Sequence, residues 1–169
     1  DTGTMRLSGT SANIHTGVTA VNAGTLVLDK SVVDGAIAKD LVIGDGAGTD
    51  TVRLNLHNQI SQASGNTVTI NSSGVLDLNA HTEAIRNLTM TGGGQLIGSG
   101  FSYLYVLGTV TTNASSATAT ISCTGLLLDV AGQVPFVIAD GAAAVDLDVS
   151  GMLSSATGSE GLVKSGPGT

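Results

Sequence analysis

The amino-acid sequence predicts an all-β fold, a right-handed parallel β-helix (β-solenoid) of about seven to nine coils, with residues 1–169 forming a single segment. Three observations lead there. The chain holds 24 Gly in 169 residues, with 2% aromatic and 11% charged residues, where an ordinary domain has about 7% Gly and about 25% charged residues. Its 41% hydrophobic content is Val, Leu, Ile and Ala dispersed among Thr, Ser, Asn and Gly, which suits many short strands joined by tight turns. Finally, one spacing recurs: with Gly24, Gly74, Gly94, Gly125 and Gly151 set in register, the residues six before, four before and two after each glycine are all apolar.

The five triplets read Val18, Ala20, Leu26; Val68, Ile70, Leu76; Leu88, Met90, Leu96; Ala119, Ile121, Leu127; and Val145, Leu147, Leu153. Residues two apart in a strand share a face, so each segment points a pair of side chains inward, turns near its glycine, and points another inward. Leu28 and Leu78 extend the first two sets by one more inward position. Successive glycines lie 50, 20, 31 and 26 residues apart. The shortest step is one bare coil, and the longer ones carry extra strands or loops. Asp50 to His57, with Val52, Leu54 and Leu56 alternating against Arg53 and Asn55, fills part of the first gap. Tyr103 to Leu107 fills part of the third, and the low-complexity stretch Thr111 to Thr120 predicts a protruding loop.

A unit of about twenty residues cannot bury its apolar face alone, and stacking such units solves the problem. An antiparallel sandwich would also use short strands and Gly-rich turns, but it has no reason to repeat one apolar spacing five times, and Asn-Gly hairpin signals are missing. Gly and β-branched residues interrupt every candidate helical window. The terminal Gly166-Pro167-Gly168-Thr169 resembles the opening Thr2-Gly3-Thr4. This suggests a segment of a longer or stacked rod, whose ends are covered by neighbouring coils or by copies of the same protein.

With 13 Asp+Glu against 6 Lys+Arg, the net charge of −7 lacks the basic footprint of a nucleic-acid partner. No run reaches the roughly 18 apolar residues of a membrane-spanning helix, and the chain does not open on a targeting segment. Cys123 is the single cysteine, so no intrachain disulfide forms, and a buried thiol is expected.

The stretch Gly3-Thr4-Met5-Arg6-Leu7-Ser8-Gly9, followed by Thr16-Gly17-Val18-Thr19-Ala20-Val21-Asn22-Ala23-Gly24-Thr25-Leu26-Val27-Leu28, resembles the passenger-associated, autotransporter-type β-strand repeat of large bacterial surface proteins. The matching residues are Gly3, Thr4, Leu7, Ser8, Gly9, Thr16, Gly17, Thr19, Val21, Ala23, Gly24, Thr25, Leu26 and Leu28. Residues 41–46, 50–54, 58–60 and 68–78 resemble the coils that often follow that repeat, and residues 161–166 resemble the approach to another copy. His15 departs from the pattern, standing where the family usually has an aromatic residue. The resemblance implies a right-handed β-helix presented outside the cell, in which the repeat assists secretion and folding. It carries no catalytic residue over to this chain.

Asp146 and Asp148 share a strand face at i, i+2, as paired carboxylates of a polysaccharide lyase or hydrolase could, but no basic residue lies within ten positions. A solvated outer face explains them. His15, His57 and His81 have no triad context, and no nucleophile elbow is present. Asp45-Gly46-Ala47-Gly48-Thr49-Asp50-Thr51-Val52 approximates one calcium nonapeptide, whereas a shared ion needs two adjacent copies. Tyr103 and Tyr105 share a strand face and could form a small stacking platform for sugars. Asn71, Asn87 and Asn113 open Asn-x-Ser/Thr sequons that carry no weight in a bacterial chain. The sequence thus predicts a non-catalytic, cofactor-free structural solenoid at the bacterial surface or outside the cell, a stalk or scaffold that stacks end to end. An adhesin holding glycan or matrix ligands along its flank, and a polysaccharide lyase or hydrolase, are the alternatives.

Overall fold

The structure, a computed structural model, describes residues 3–169; Asp1 and Thr2 lie outside the described residues, and with them the Thr2 end of the terminal resemblance. It is a parallel β-solenoid of about seven turns with three walls. The first wall has seven strands: β1 (Thr4–Gly9), β3 (Gly24–Lys30), β5 (Asp50–Leu54), β7 (Gly74–Asp77), β10 (Gln95–Ile97), β13 (Ala119–Ser122) and β16 (Leu147–Val149). The second has four: β8 (Thr82–Ile85), β11 (Tyr103–Val106), β14 (Gly125–Leu128) and β17 (Met152–Ser155). The third has seven: β2 (Thr19–Val21), β4 (Leu41–Ile43), β6 (Thr67–Ile70), β9 (Asn87–Thr91), β12 (Val110–Asn113), β15 (Gln133–Val137) and β18 (Gly161–Ser165). In the first three turns the arcs 10–18, 31–40 and 55–66 stand where the second wall later forms. At about 4.8 Å per rung, seven rungs make a body of roughly 30 Å along the axis.

The alternation written into each strand builds the interior. In Thr67-Val68-Thr69-Ile70 the β-branched residues favour extended backbone, and the period of two sends valine and isoleucine inward and the threonines outward. Parallel register then stacks like on like. One first-wall column runs Met5, Leu26, Val52, Leu76, Leu96, Ile121, Val149. Two third-wall columns run Leu41, Val68, Leu88, Val110, Phe136 and Val21, Ile43, Ile70, Met90, Thr112. Leu28, Leu78 and the central members of these columns are fully buried, each contributing about 1.5–3 kcal/mol over exposure.

The five glycine segments do not all occupy the same corner. Gly24, Gly74 and Gly94 lie where the third wall turns into the first, whereas Gly125 and Gly151 lie where the first turns into the second. Close packing explains the residue type: a Cβ on Gly74 would sit 2.2 Å from the Ile43 carbonyl oxygen, and one on Gly151 would sit 2.1 Å from that of Cys123.

Five expected core positions are corrected. Val18 is 59% exposed and Ala20 also faces water, because only Asn22 and Ala23 separate Val21 from Gly24, whereas three residues separate Ile70 from Gly74. That missing residue flips the strand, so Thr19 and Val21 take the inward positions. Leu127 points outward between buried Leu126 and Leu128, since β14 begins at its glycine with the opposite phase. Val145 precedes β16 and is exposed, leaving Leu147 and Val149 as the inward pair. Leu153 lies in register with inward Leu126 but is 46% exposed, being the last rung of its column. Half of the stretch Thr111 to Thr120 is the expected loop, residues 114–118; the rest belongs to β12 and β13, which flank it.

Candidate functional site

The columns end in two recesses. At the β1 face, a hollow of about 840 Å³ is lined by Met5, Leu7, His15, Val18, Val21 and Leu26, among others. The opposite face has a smaller recess of about 230 Å³ lined by Phe136, Ile138, Leu147, Val149, Leu153 and Leu162. Both expose side chains whose register is inward: Met5 pairs with buried Leu26, and Leu162 with buried Val134. The outer strands also present unpaired backbone donors and acceptors. His15, at the first hollow, is exposed and shares a hydrogen bond between Nε2 and the Thr19 hydroxyl at 2.9 Å.

A buried polar corner supports the three turns that lack a second-wall strand. Arcs 31–40 and 55–66 share one parallel bridge, Ile37 to Ile60, and backbone hydrogen bonds from the N–H groups of Asp34, Ala36 and Ser61 to the carbonyls of Asn58, Gln59 and Ile37 at 2.7, 3.0 and 2.8 Å; side chains add further ties. Gln59 is buried: its side-chain oxygen accepts from the Lys30 N–H at 2.7 Å, and its amide nitrogen donates to the Lys30 and His57 carbonyls at 3.0 Å. Glu83 is wholly buried in the column that continues as Leu104, Leu126 and Leu153. Its two carboxyl oxygens accept from the N–H groups of Gln59 at 2.7 Å and Ile60 at 3.3 Å. One side chain thereby joins β8 to the preceding turn. Burial pushes the Glu83 carboxyl up to about 8, and the charge of Asp34 adds to this; the N–H groups of Gln59, Ile60 and Ala84 pull the other way without prevailing.

Asp34 itself is raised by burial, and its Oδ1 has no partner among the described residues. Beside this corner, His57 and His81 meet edge to face at 4.8 Å. The Thr82 N–H donates to His57 Nδ1 at 2.8 Å, which places the proton of neutral His57 on Nε2. Burial, then the charge of His57, lowers the pKa of His81.

The remaining residues singled out by the sequence lie apart. Asp146 is not on a solvated face: it is buried, and its carboxylate accepts from the N–H groups of Gly141 at 3.0 Å and Thr169 at 2.8 Å, while Asp148 is exposed. Asp50 faces inward between Gly24 and Gly74 and accepts from the Ser73 hydroxyl at 2.6 Å; Asp45 accepts from the Ala47 N–H at 2.9 Å within its own loop. Among the described residues no three of His, Cys, Asp and Glu come together as a metal ion would require, and no helix is long and apolar enough to cross a membrane. Cys123 is buried, its Sγ donates to the Gly125 carbonyl at 3.4 Å, and burial pushes the thiol pKa up. Tyr103 and Tyr105 alternate with buried Leu104 and Val106, so both project from the outer face of the second wall.

Glu83 and Gln59 escaped the sequence reading as buried polar groups. A usable signal existed for Glu83: in Thr82-Glu83-Ala84-Ile85, an inward Ile85 puts Glu83 inward too. No family profile matches the chain, and neither a curated protein nor a solved structure matches it.

Proposed function

We propose that this chain is a non-catalytic β-solenoid segment of a bacterial surface or extracellular protein, serving as a stalk or scaffold whose end faces stack upon further coils of the same kind. One observation carries the reading: the columns and hydrogen-bond ladders run through the body along one axis and terminate in exposed inward-register residues, Met5 at one face and Leu153 and Leu162 at the other. Apolar side chains and open strand edges exposed together favour an added rung over water. The autotransporter-type resemblance of residues 3–28 supports a location outside the cell.

Sedimentation velocity over a range of concentrations, with negative-stain microscopy of the same samples, tests the stacking. Rods that lengthen with concentration, and that Met5→Lys or Leu153→Lys shortens, are the expected result. A particle that stays monomeric throughout would remove stacking from the proposal.

A further inference from the structure

The outer face of the second wall carries both tyrosines of the chain. Its eight outward positions are Thr82 and Ala84, Tyr103 and Tyr105, Gly125 and Leu127, and Met152 and Ser154, paired rung to rung. None is charged; Arg86 and Asp129 follow only after β8 and β14 have ended. The first wall, in contrast, carries exposed ion pairs, Arg6 with Asp29 and Arg53 with Asp77. The whole chain has four aromatic residues outside its histidines, and three of them fall at 101, 103 and 105. Phe101 is 78% exposed.

The Tyr103 ring has a prepared seat. Its Cδ1 and Cε1 lie 2.9 and 3.0 Å from where a Cβ on Gly125 would be, and the Met152 methyl lies 3.3 Å from the same point. Because Gly125 has no side chain, the ring edge carrying these two carbons fits against the neighbouring rung with the methionine beside it. Tyr103 as a whole remains partly exposed.

We infer that this face binds a short neutral oligosaccharide, with Tyr103, flanked by Phe101 and Tyr105, as the stacking platform. Three features select that class of ligand. Apolar C–H faces of a pyranose stack on an aromatic face, and the tyrosine hydroxyls with Thr82 and Ser154 supply donors and acceptors for its hydroxyl groups. The uncharged rows offer nothing to a charged partner. Size tells against a protein: four strands of four residues, at about 3.3 Å per residue and about 4.8 Å spacing, cover roughly 250 Å², whereas a stable protein interface needs about 800 Å² from each partner. The inference does not depend on the scaffold reading, since a stalk that never stacks could still hold sugar on its flank.

The test uses the whole chain and a panel of neutral trisaccharides: maltotriose, cellotriose and triacetylchitotriose. Titration followed by ¹⁵N–¹H NMR is expected to show at least one of them shifting amide signals of residues 101–105, 124–127 and 152–154, with a dissociation constant on the order of millimolar. Tyr103→Ala is expected to weaken that binding about tenfold while circular dichroism stays unchanged, as it removes an outward side chain. Phe101→Ala provides an independent variant at a position with almost no packing to lose. Failure of all three sugars to shift these signals, or shifts that survive both substitutions, would overturn the inference.

Discussion

A single buried carboxyl sets the pH response. Glu83 has an ordinary value of 4.5 and is raised to about 8 in the folded chain, so between those values the folded state holds a proton that the unfolded state has lost. Its contribution to stability is complete below pH 4.5 and is lost as pH rises towards 8, a change on the order of a few kcal/mol. His81 acts oppositely: its lowered pKa favours the fold above its ordinary value of 6.5 and is lost as pH falls. Thermal melts from pH 5 to 9 are therefore expected to show wild type losing stability progressively up to about pH 8 and levelling above it, with Glu83→Gln much flatter over that range. An identical slope in the variant would show that another group is responsible. The register correction makes a second contrast. Val18→Asp, on a water-facing side chain, is expected to change stability by no more than about 0.5 kcal/mol, whereas Ile70→Asp buries an unpaired charge and is expected to abolish folding by circular dichroism.

Strands and corners show how far the sequence could be read. The period-two alternation of Val68 with Ile70, or of Val52 with Leu54, carries its own phase, and the walls follow from it. Corners carry no such marker. A corner one residue shorter before Gly24 than before Gly74 is invisible in composition, yet it decides whether Val18 or Thr19 enters the core. Glycine alone could not identify its corner, because Gly74 and Gly125 both relieve crowding, one against the Ile43 backbone and the other against the Tyr103 ring. The polar corner was hidden for a different reason: its hydrogen bonds join residues more than twenty positions apart, such as Gln59 with Lys30 and Glu83. Gly74→Ala, whose Cβ would meet the Ile43 oxygen at 2.2 Å, is expected to destabilise by about 3 kcal/mol. Gly48→Ala meets nothing within 4 Å and suffers only from its φ of +70°, a cost of about 1–2 kcal/mol. Urea denaturation of the two variants compares these, and equal losses would rule out crowding at Gly74.

Over the whole molecule, stability is a sum of rung-to-rung terms, since each turn touches only its neighbours. Hydrogen exchange is expected to be slowest in β5, β7 and β10 and fastest in β1, β16, β17 and β18, where one side of the ladder is missing. Uniform protection along the body would contradict that nearest-neighbour picture. The ties made by Gln59 and Glu83 have a further implication. Because arcs 31–40 and 55–66 are joined to each other by one bridge and a few backbone hydrogen bonds, and to Lys30 and β8 through the side chains of Gln59 and Glu83, they need not keep strand length or strand composition. The same body can therefore vary at the exposed positions of those arcs, through altered loops or grafted epitopes, provided that Gln59, Glu83 and the backbone around Ile37 and Ile60 are kept.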